Sequence, residues 1–377
     1  MLVDLHAHYP MHVVPAADTH ELLTSWSAQR VRAKIVDLVS RVANYEGPGG
    51  TPGVTVPLLR DGDVGVVLSV AYNPWTELDP SSRYDAPPRD AYFARLLETL
   101  DAVETDLAPR PDAELVRTAE ALDRCMAEGR IAFVHAVEGA VQLGGPEAVP
   151  ASVAELAHRG VAYITVAHLF WRQVATVAPA LPFLPDWAYR MLFRQPADVG
   201  LGPTGRAAVQ AMVEQGILVD VTHMSDAAFA ETMDLLDLLD PTRTQPVIAS
   251  HMACHFGRLA YTMSDDAILR VARRGGVLGV IACRHYVEDG LARATSFDDT
   301  LDLLCAHAER IAAVTGSWDH AAIGSDLDGY IKPALPGLEH EGRMRALAAA
   351  LDDRLGAERA AQVCHGNALR VLRARLG

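Results

Sequence analysis

Eight short runs of branched apolar residues, separated by segments of helical periodicity, constrain this chain more than any other feature. The runs are Leu2–Leu5, Val64–Val70, Ile131–Val134, Val161–Val166, Ile217–Val221, Pro246–Ala249, Val277–Ala282 and Ala321–Ile323. Helix-period segments lie between them at 21–44, 90–105, 114–127, 203–215, 225–238, 297–313 and 339–353. Strands that are apolar throughout, rather than alternating, belong to a sheet covered on both faces. Strand and helix in alternation imply parallel strands joined by right-handed crossovers. Eight such units predict an α/β chain folded as a (β/α)8 TIM barrel. With 377 residues, the chain has room for extra helices and long βα loops on one decorated domain spanning 1–377. Short Pro/Gly stretches, 47–53 and 180–185, read as loops within it.

Every barrel of this kind places its chemistry at the C-terminal ends of the strands. His6 and His8 follow the first run. Glu138 follows the third, His168 the fourth, His223 the fifth, His251 the sixth and Asp326 the eighth. Six of eight run ends therefore carry a histidine or a carboxylate, in a chain with 15 histidines. On an extended strand, His6 and His8 point the same way, because the side-chain period is two. Two neighbouring imidazoles suit a borderline-soft divalent ion such as zinc. His223 and His251, from adjacent strands, suit a second ion. Two close cations need a bridging anion to offset their repulsion. Glu138, the one carboxylate ending a middle strand, is the natural bridge.

The lysine count sharpens that assignment. Only Lys34 and Lys332 are present, one in the first helical segment and one after the last strand. Neither can supply a carboxylated-lysine bridge at the end of the fourth run, so the role falls to Glu138. Asp326 faces the same ions, where it can take a proton from a bound water and deliver it to a leaving amine. The expected cofactor is two Zn2+ per chain.

Composition removes other classes. Lys and Arg total 33 against 48 Asp and Glu, a net charge of −15. No basic stripe exists to meet a nucleic-acid backbone or an anionic membrane surface. No apolar stretch is long enough to span a bilayer. The start, Met1-Leu-Val-Asp-Leu-His-Ala-His8, lacks the basic and apolar regions of a signal peptide, so a cytoplasmic location is expected. Five cysteines with no CxxC spacing read as free thiols. Among the remaining polar residues, His135, His255, His285 and His365 read as structural, His12 and His20 as loop residues. Asp328 reads as a turn cap with Gly329, Asp220 as an orienting partner for a ligand, and Trp171 and Arg172 equally as pocket lining or as surface packing.

These residues resemble the membrane dipeptidases (renal dipeptidase type, peptidase family M19) of the amidohydrolase superfamily. The likeness runs from Asp4 to about Leu372. It is carried by Leu58-Leu-Arg-Asp-Gly-Asp-Val-Gly65, Val137-Glu-Gly139, Gly200-Leu-Gly-Pro-Thr-Gly205, Gly216-Ile-Leu-Val-Asp-Val-Thr-His-Met-Ser-Asp226, Ile248-Ala-Ser-His251, Ile323-Gly-Ser-Asp-Leu-Asp-Gly329 and Gly366-Asn-Ala-Leu-Arg-Val-Leu372. The resemblance implies a binuclear zinc hydrolase that cleaves dipeptides through a metal-bridging hydroxide. It makes Glu138 the bridge, His223 and His251 ligands of one zinc, His6 and Asp326 ligands of the other, and His168 the group on the substrate carbonyl. It also allows a homodimer, although no segment of the sequence marks an interface.

Two departures stand out. The family usually has His-x-Asp where this chain has His6-x-His8. It also carries an Arg-Asn pair about eleven residues beyond the histidine that matches His251, and that arginine grips the substrate carboxylate. Here Tyr261-Thr262 fall at that place, with Arg258 nearby as a candidate substitute. Turnover of another small amide, an N-acyl amino acid or a cyclic amide, is therefore the first alternative. A metal-binding protein without turnover is the second. A mononuclear deaminase would need a catalytic Glu in a His-Pro-Glu-like context, and none follows His223.

Overall fold

The computed structural model describes residues 1–14, 52–77, 79, 82–181, 184–329 and 334–377. The expected helix 21–44, most of the 47–53 loop, His20, Lys34 and Lys332 lie outside the described residues. Among the described residues nine strands occur in chain order: β1 (Leu2–Ala7), β2 (Val64–Ala71), β3 (Ala113–Leu115), β4 (Ile131–Glu138), β5 (Tyr163–Thr165), β6 (Leu218–Asp220), β7 (Val247–Met252), β8 (Val277–Val280) and β9 (Ala321–Ile323). All pair in parallel. β1 pairs with both β2 and β9, and β2 pairs with β4, so eight strands close a ring. This is the (β/α)8 barrel. The ninth strand, β3, was not expected. It pairs with Ile131–Phe133 of β4, below the Val137–Glu138 stretch that β5 takes.

Helices Ala91–Leu107, Ala119–Ala127, Pro203–Glu214, Asp226–Leu239, Phe297–Thr315 and Met344–Leu355 answer to expected segments. Three of them start at side chains that accept the free N–H groups of the first turn. Thr118, Ser225 and Ser296 do this, the last in a capping box with Asp299. Further helices at Val149–His158, Asp265–Ala272 and Asn367–Leu376 complete the outer layer.

The barrel interior is filled by Val3, Leu5, Val66, Leu68, Val70, Ala132, Val134 and Ala136, with Leu218 and Ile248 opposite. The helix Asn367–Leu376 packs Leu369, Val371, Leu372 and Leu376 into the same cluster. Asn367, buried, donates its side-chain amide to the carbonyls of Trp318 and Ala321 and so ties that helix to β9. That bond gives the Gly366-Asn367 motif a structural use.

β1 does something a regular strand cannot. Val3 and Leu5 lie in the interior cluster while Leu2 and Ala7 lie in the outer one. His6 and His8 nonetheless face the interior with Glu138. The register against β2 slips between Asp4 and Ala7. A slip of this kind exchanges the two faces of a strand. It lets odd-numbered residues fill the lower barrel and even-numbered ones reach the upper mouth.

Candidate metal centre

Seven side chains singled out in the sequence converge on Glu138 or its neighbours. They come from six strands: His6 and His8 at the end of β1, Glu138 closing β4, His168 beyond β5, His223 beyond β6, His251 in β7 and Asp326 beyond β9. All seven are buried. Glu138 Oε1 lies 3.4 Å from His6 Nε2, 3.5 Å from His223 Nε2 and 3.4 Å from His251 Nε2. Its Oε2 lies 3.5 Å from His8 Nε2 and 3.4 Å from His168 Nε2. Asp326 Oδ1 reaches His8 Nε2 at 3.0 Å and His6 Nε2 at 3.6 Å. Three overlapping sets fit an ion: His6–His8–Glu138, His6–His251–Asp326 and Glu138–His223–His251. Glu138 belongs to two of them.

The bonds behind the ligands decide which nitrogens are free. Asp220 Oδ1 accepts from the Ser250 N–H at 3.0 Å and from the Thr222 hydroxyl at 2.7 Å. Its Oδ2 accepts from the Thr165 hydroxyl and from the Ser250 hydroxyl, both at 2.6 Å. With its proton committed to Asp220, Ser250 Oγ can only accept from His251 Nδ1 at 2.9 Å and His6 Nδ1 at 3.1 Å. The Tyr163 hydroxyl donates to the Leu5 carbonyl and likewise accepts from His6 Nδ1, each at 2.8 Å. Both rings thus carry their proton on Nδ1 and present a bare Nε2.

Those bare nitrogens face others. His6 Nε2 lies 3.2 Å from His8 Nε2, and His223 Nε2 lies 2.9 Å from His251 Nε2. At this distance a bare Nε2 can accept the N–H of the second ring, or the two nitrogens can hold a cation between them. Nitrogen and carboxylate donors in this number fit divalent ions of the zinc type. The sequence-predicted role of Asp220 is therefore met through Ser250 and not by direct contact.

A proton on His6 is the competitor of an ion at this place: burial opposes it, but Glu138 and Asp326 raise the pKa of the ring. Burial disfavours the charged form of Glu138, yet His168 and His6 outweigh it and hold the carboxyl well below its ordinary range. Burial also opposes protonation of His168, but Glu138 and Glu77 together push its pKa up to about 9. His251 is driven well below its usual value by burial and by the neighbouring His6, consistent with a neutral ligand.

Two of the seven residues have left-handed backbone, His223 at φ 67° and Asp326 at φ 58°. That conformation is rare for residues with a Cβ and clusters where function requires it. It is held by the Ala178 N–H donating to the His223 carbonyl and by the Asp326 N–H donating to the His6 carbonyl, each at 2.8 Å.

Other expectations fare differently. Arg258 is exposed and stands apart from the seven, with its backbone N–H donating to Asp289 at 2.6 Å. At the place of the family's arginine, Tyr261 is buried. Its hydroxyl donates to the His251 carbonyl at 2.7 Å, and its ring lies against His223 and stacks on Tyr286. Asp328 lies in a turn with Gly329, closed by the Gly329 N–H donating to the Asp326 carbonyl at 3.0 Å, but its side chain reaches further. It accepts from the N–H groups of Gly53 and Val54 and pairs with His12 at 2.6 Å, so it anchors a neighbouring loop. Arg172 is fully buried, bonded to Tyr92 and to the Glu77 carbonyl. Glu77 itself was missed. It follows β2 in a segment with no periodicity, and no sequence signal marks it.

Comparisons with known proteins bear on this site. An uncharacterised dipeptidase of Schizosaccharomyces pombe is 32% identical over 209 residues, covering 53% of this chain and 42% of the relative. The chain spans about half the length of the curated relatives it matches. Among solved structures, the dipeptidase AC, a metallopeptidase, superposes with TM-score 0.74 at 19% identity over 100% of this chain and 99% of the other. A Rhodobacter sphaeroides metallopeptidase solved with a phosphinate mimic of the dipeptide L-Ala-D-Ala gives TM-score 0.71 at 19% identity, covering 99% of both chains. These likenesses establish the fold. Family membership rests on a family model that matches residues 2–375, almost from end to end, and by it the chain belongs to the membrane dipeptidase family, peptidase family M19.

Proposed function

We propose that the protein is a metal-dependent dipeptidase that holds two divalent ions, zinc by donor type, astride Glu138. The observation that carries this reading is the double use of the Glu138 carboxylate, one oxygen facing His6, His223 and His251, the other facing His8 and His168. His6, His8 and Asp326 would hold one ion, His223 and His251 the other. When bound, such ions supply Lewis acidity and bring the pKa of a bridging water or hydroxide toward neutrality. The chain's own groups do the rest. Asp326 accepts the proton of the attacking water and returns it to the leaving amine. His168 Nε2, on the rim of the cluster, donates to the carbonyl oxygen as negative charge grows there.

A small dipeptide is the substrate class supported by the family and by the relative solved with an L-Ala-D-Ala mimic. The neutral Tyr261–Tyr286 wall favours a second reading, in which small amides without a free carboxylate also turn over. Beside it, a cavity of about 690 Å³ opens between the connections that follow β5, β6 and β7, lined by Arg190 and Arg194 from the first, Ser225 from the second, and His255 and Thr262 from the third. Its size suits a small ligand, and its arginines offer a carboxylate partner.

The test is a zinc-reconstituted enzyme assayed on L,L and L,D dipeptides, with their C-terminal amides and N-acylated forms alongside. Hydrolysis of free dipeptides, lost on amidation, is the expected result. Turnover confined to blocked substrates would move the assignment to another amide, and none at all would leave a binding protein.

A further inference from the structure

Glu77 closes the short helical turn Pro74–Glu77 that follows β2. Its carboxylate is buried, and both oxygens are in use. Oε2 lies 2.5 Å from His168 Nδ1. Oε1 accepts from the N–H of Leu169 at 2.8 Å and of Phe170 at 3.1 Å. One side chain therefore holds both the ring of His168 and the backbone immediately after it.

The turn is itself fixed from behind. The buried Arg172 guanidinium donates to the Glu77 carbonyl at 3.5 Å and to the Tyr92 hydroxyl at 2.9 Å. Tyr92 in turn donates to Asp79 at 2.7 Å. On the other side, Gln142 accepts from the Asn73 N–H at 3.2 Å and donates to the Glu138 carbonyl at 2.5 Å. The His168 ring is wedged edge-on between Tyr72 and His223, each 4.7 Å away. Held so, it aims Nε2 at the cluster, 3.4 Å from Glu138 Oε2.

We propose that Glu77 is the positioning residue of the reaction: by accepting the Nδ1 proton of His168 it fixes that ring and makes Nε2 the atom that meets the scissile carbonyl. The inference rests on the hydrolase reading of this site. Its physical basis is that a buried carboxylate bonded to one imidazole nitrogen sets both ring orientation and the protonation of the other. Glu77 acts through His168 and touches no substrate.

A double-mutant cycle separates this from a structural role. In zinc-loaded enzyme, Glu77→Gln is expected to lower kcat about 10- to 100-fold, with KM changed much less and metal content unchanged. Glu77→Asp, which keeps the charge, should recover part of the rate and replaces Glu77→Gln if that variant fails to fold. In a His168→Asn background the same Glu77 substitution should cost less than about 2-fold. Additive losses, or loss of metal from the Glu77 variant, would overturn the proposal. A readout independent of turnover is the histidine ¹⁵N–¹H spectrum of the zinc-loaded protein. A downfield Nδ1–H signal that is missing from His168→Asn should also vanish in Glu77→Gln. Its absence from wild type, or its survival in Glu77→Gln, would equally overturn the proposal. A wild-type enzyme that cleaves no dipeptide would sink the substrate reading alone, because the spectrum still decides the role of Glu77.

Discussion

The Ser250 hydroxyl donates to the Asp220 carboxylate across 2.6 Å, and that bond turns Ser250 into an acceptor for two histidines at once. His251 and His6 both direct Nδ1 at it. Ser250→Ala removes the acceptor, leaves His6 its second partner in Tyr163, and frees the His251 ring to rotate or change tautomer. Metal affinity should fall about 10- to 100-fold with the fold intact. Competition with a chromophoric chelator measures this, and wild-type affinity in Ser250→Ala would remove the orienting role.

Glu138→Gln tests the bridge. A glutamine presents one oxygen and one amide N–H, so it cannot face His6, His223 and His251 with one acceptor and His8 with another. At least one of the two ions should be lost, with activity reduced on the order of 10³-fold, about 4 kcal/mol of barrier. Metal analysis of the purified variant and its kcat/KM check both halves. A fully active variant carrying two ions would sink the binuclear reading.

Gly329 supplies a steric test of the same centre. A Cβ at this position would lie 2.0 Å from Asp326 Oδ1 and 2.6 Å from His8 Nε2. Contacts that short force the ligands aside. Gly329→Ala should therefore keep near-wild-type secondary structure by circular dichroism and yet fail to retain metal after dialysis. Tight binding in this variant would show that His8 and Asp326 are not ligands of one ion.

Much of this centre was legible because a histidine or acid ending an apolar strand has no packing reason to be there. His6, His8, Glu138, His168, His223, His251 and Asp326 all announced themselves that way, and the barrel supplied the geometry. What stayed hidden depends on contacts between distant segments. The serine of Ser250-His251 looks like any strand serine until Asp220 lies beneath it, and Tyr163 looks like core. Glu77 sits in a loop whose course is set by the buried Arg172 and by Gln142, neither of which carries a local signal. β3 was missed because Ala113-Glu-Leu115 carries a glutamate where the other strands are mostly apolar, and it runs into the expected helical segment 114–127. The turn at Asp328-Gly329 was legible, but the anchoring use of the Asp328 side chain was not, because its partners Gly53, Val54 and His12 lie far away in sequence.

His307 offers a test of the fold separate from the metal chemistry. It is buried on the helix Phe297–Thr315, accepts the Cys254 N–H at Nδ1 and donates from Nε2 to the Val287 carbonyl, both at 3.0 Å. Burial pushes its pKa down to about 4, with the Val287 bond opposing only in part. An imidazole titrates near 6.5 in the unfolded chain. Because the folded value is the lower one, the unfolded state takes up a proton first as pH falls. The contribution of His307 is thus complete above pH 6.5 and is lost progressively toward pH 4, by at most about 3 kcal/mol. His307→Gln removes the titration while leaving every other acid and base in place. Urea unfolding of the chelator-treated proteins should give a stability difference that is constant above neutrality and narrows between pH 6.5 and 4. A difference that stayed flat across that window would mean the imidazole is already charged, or already exposed, in the native barrel.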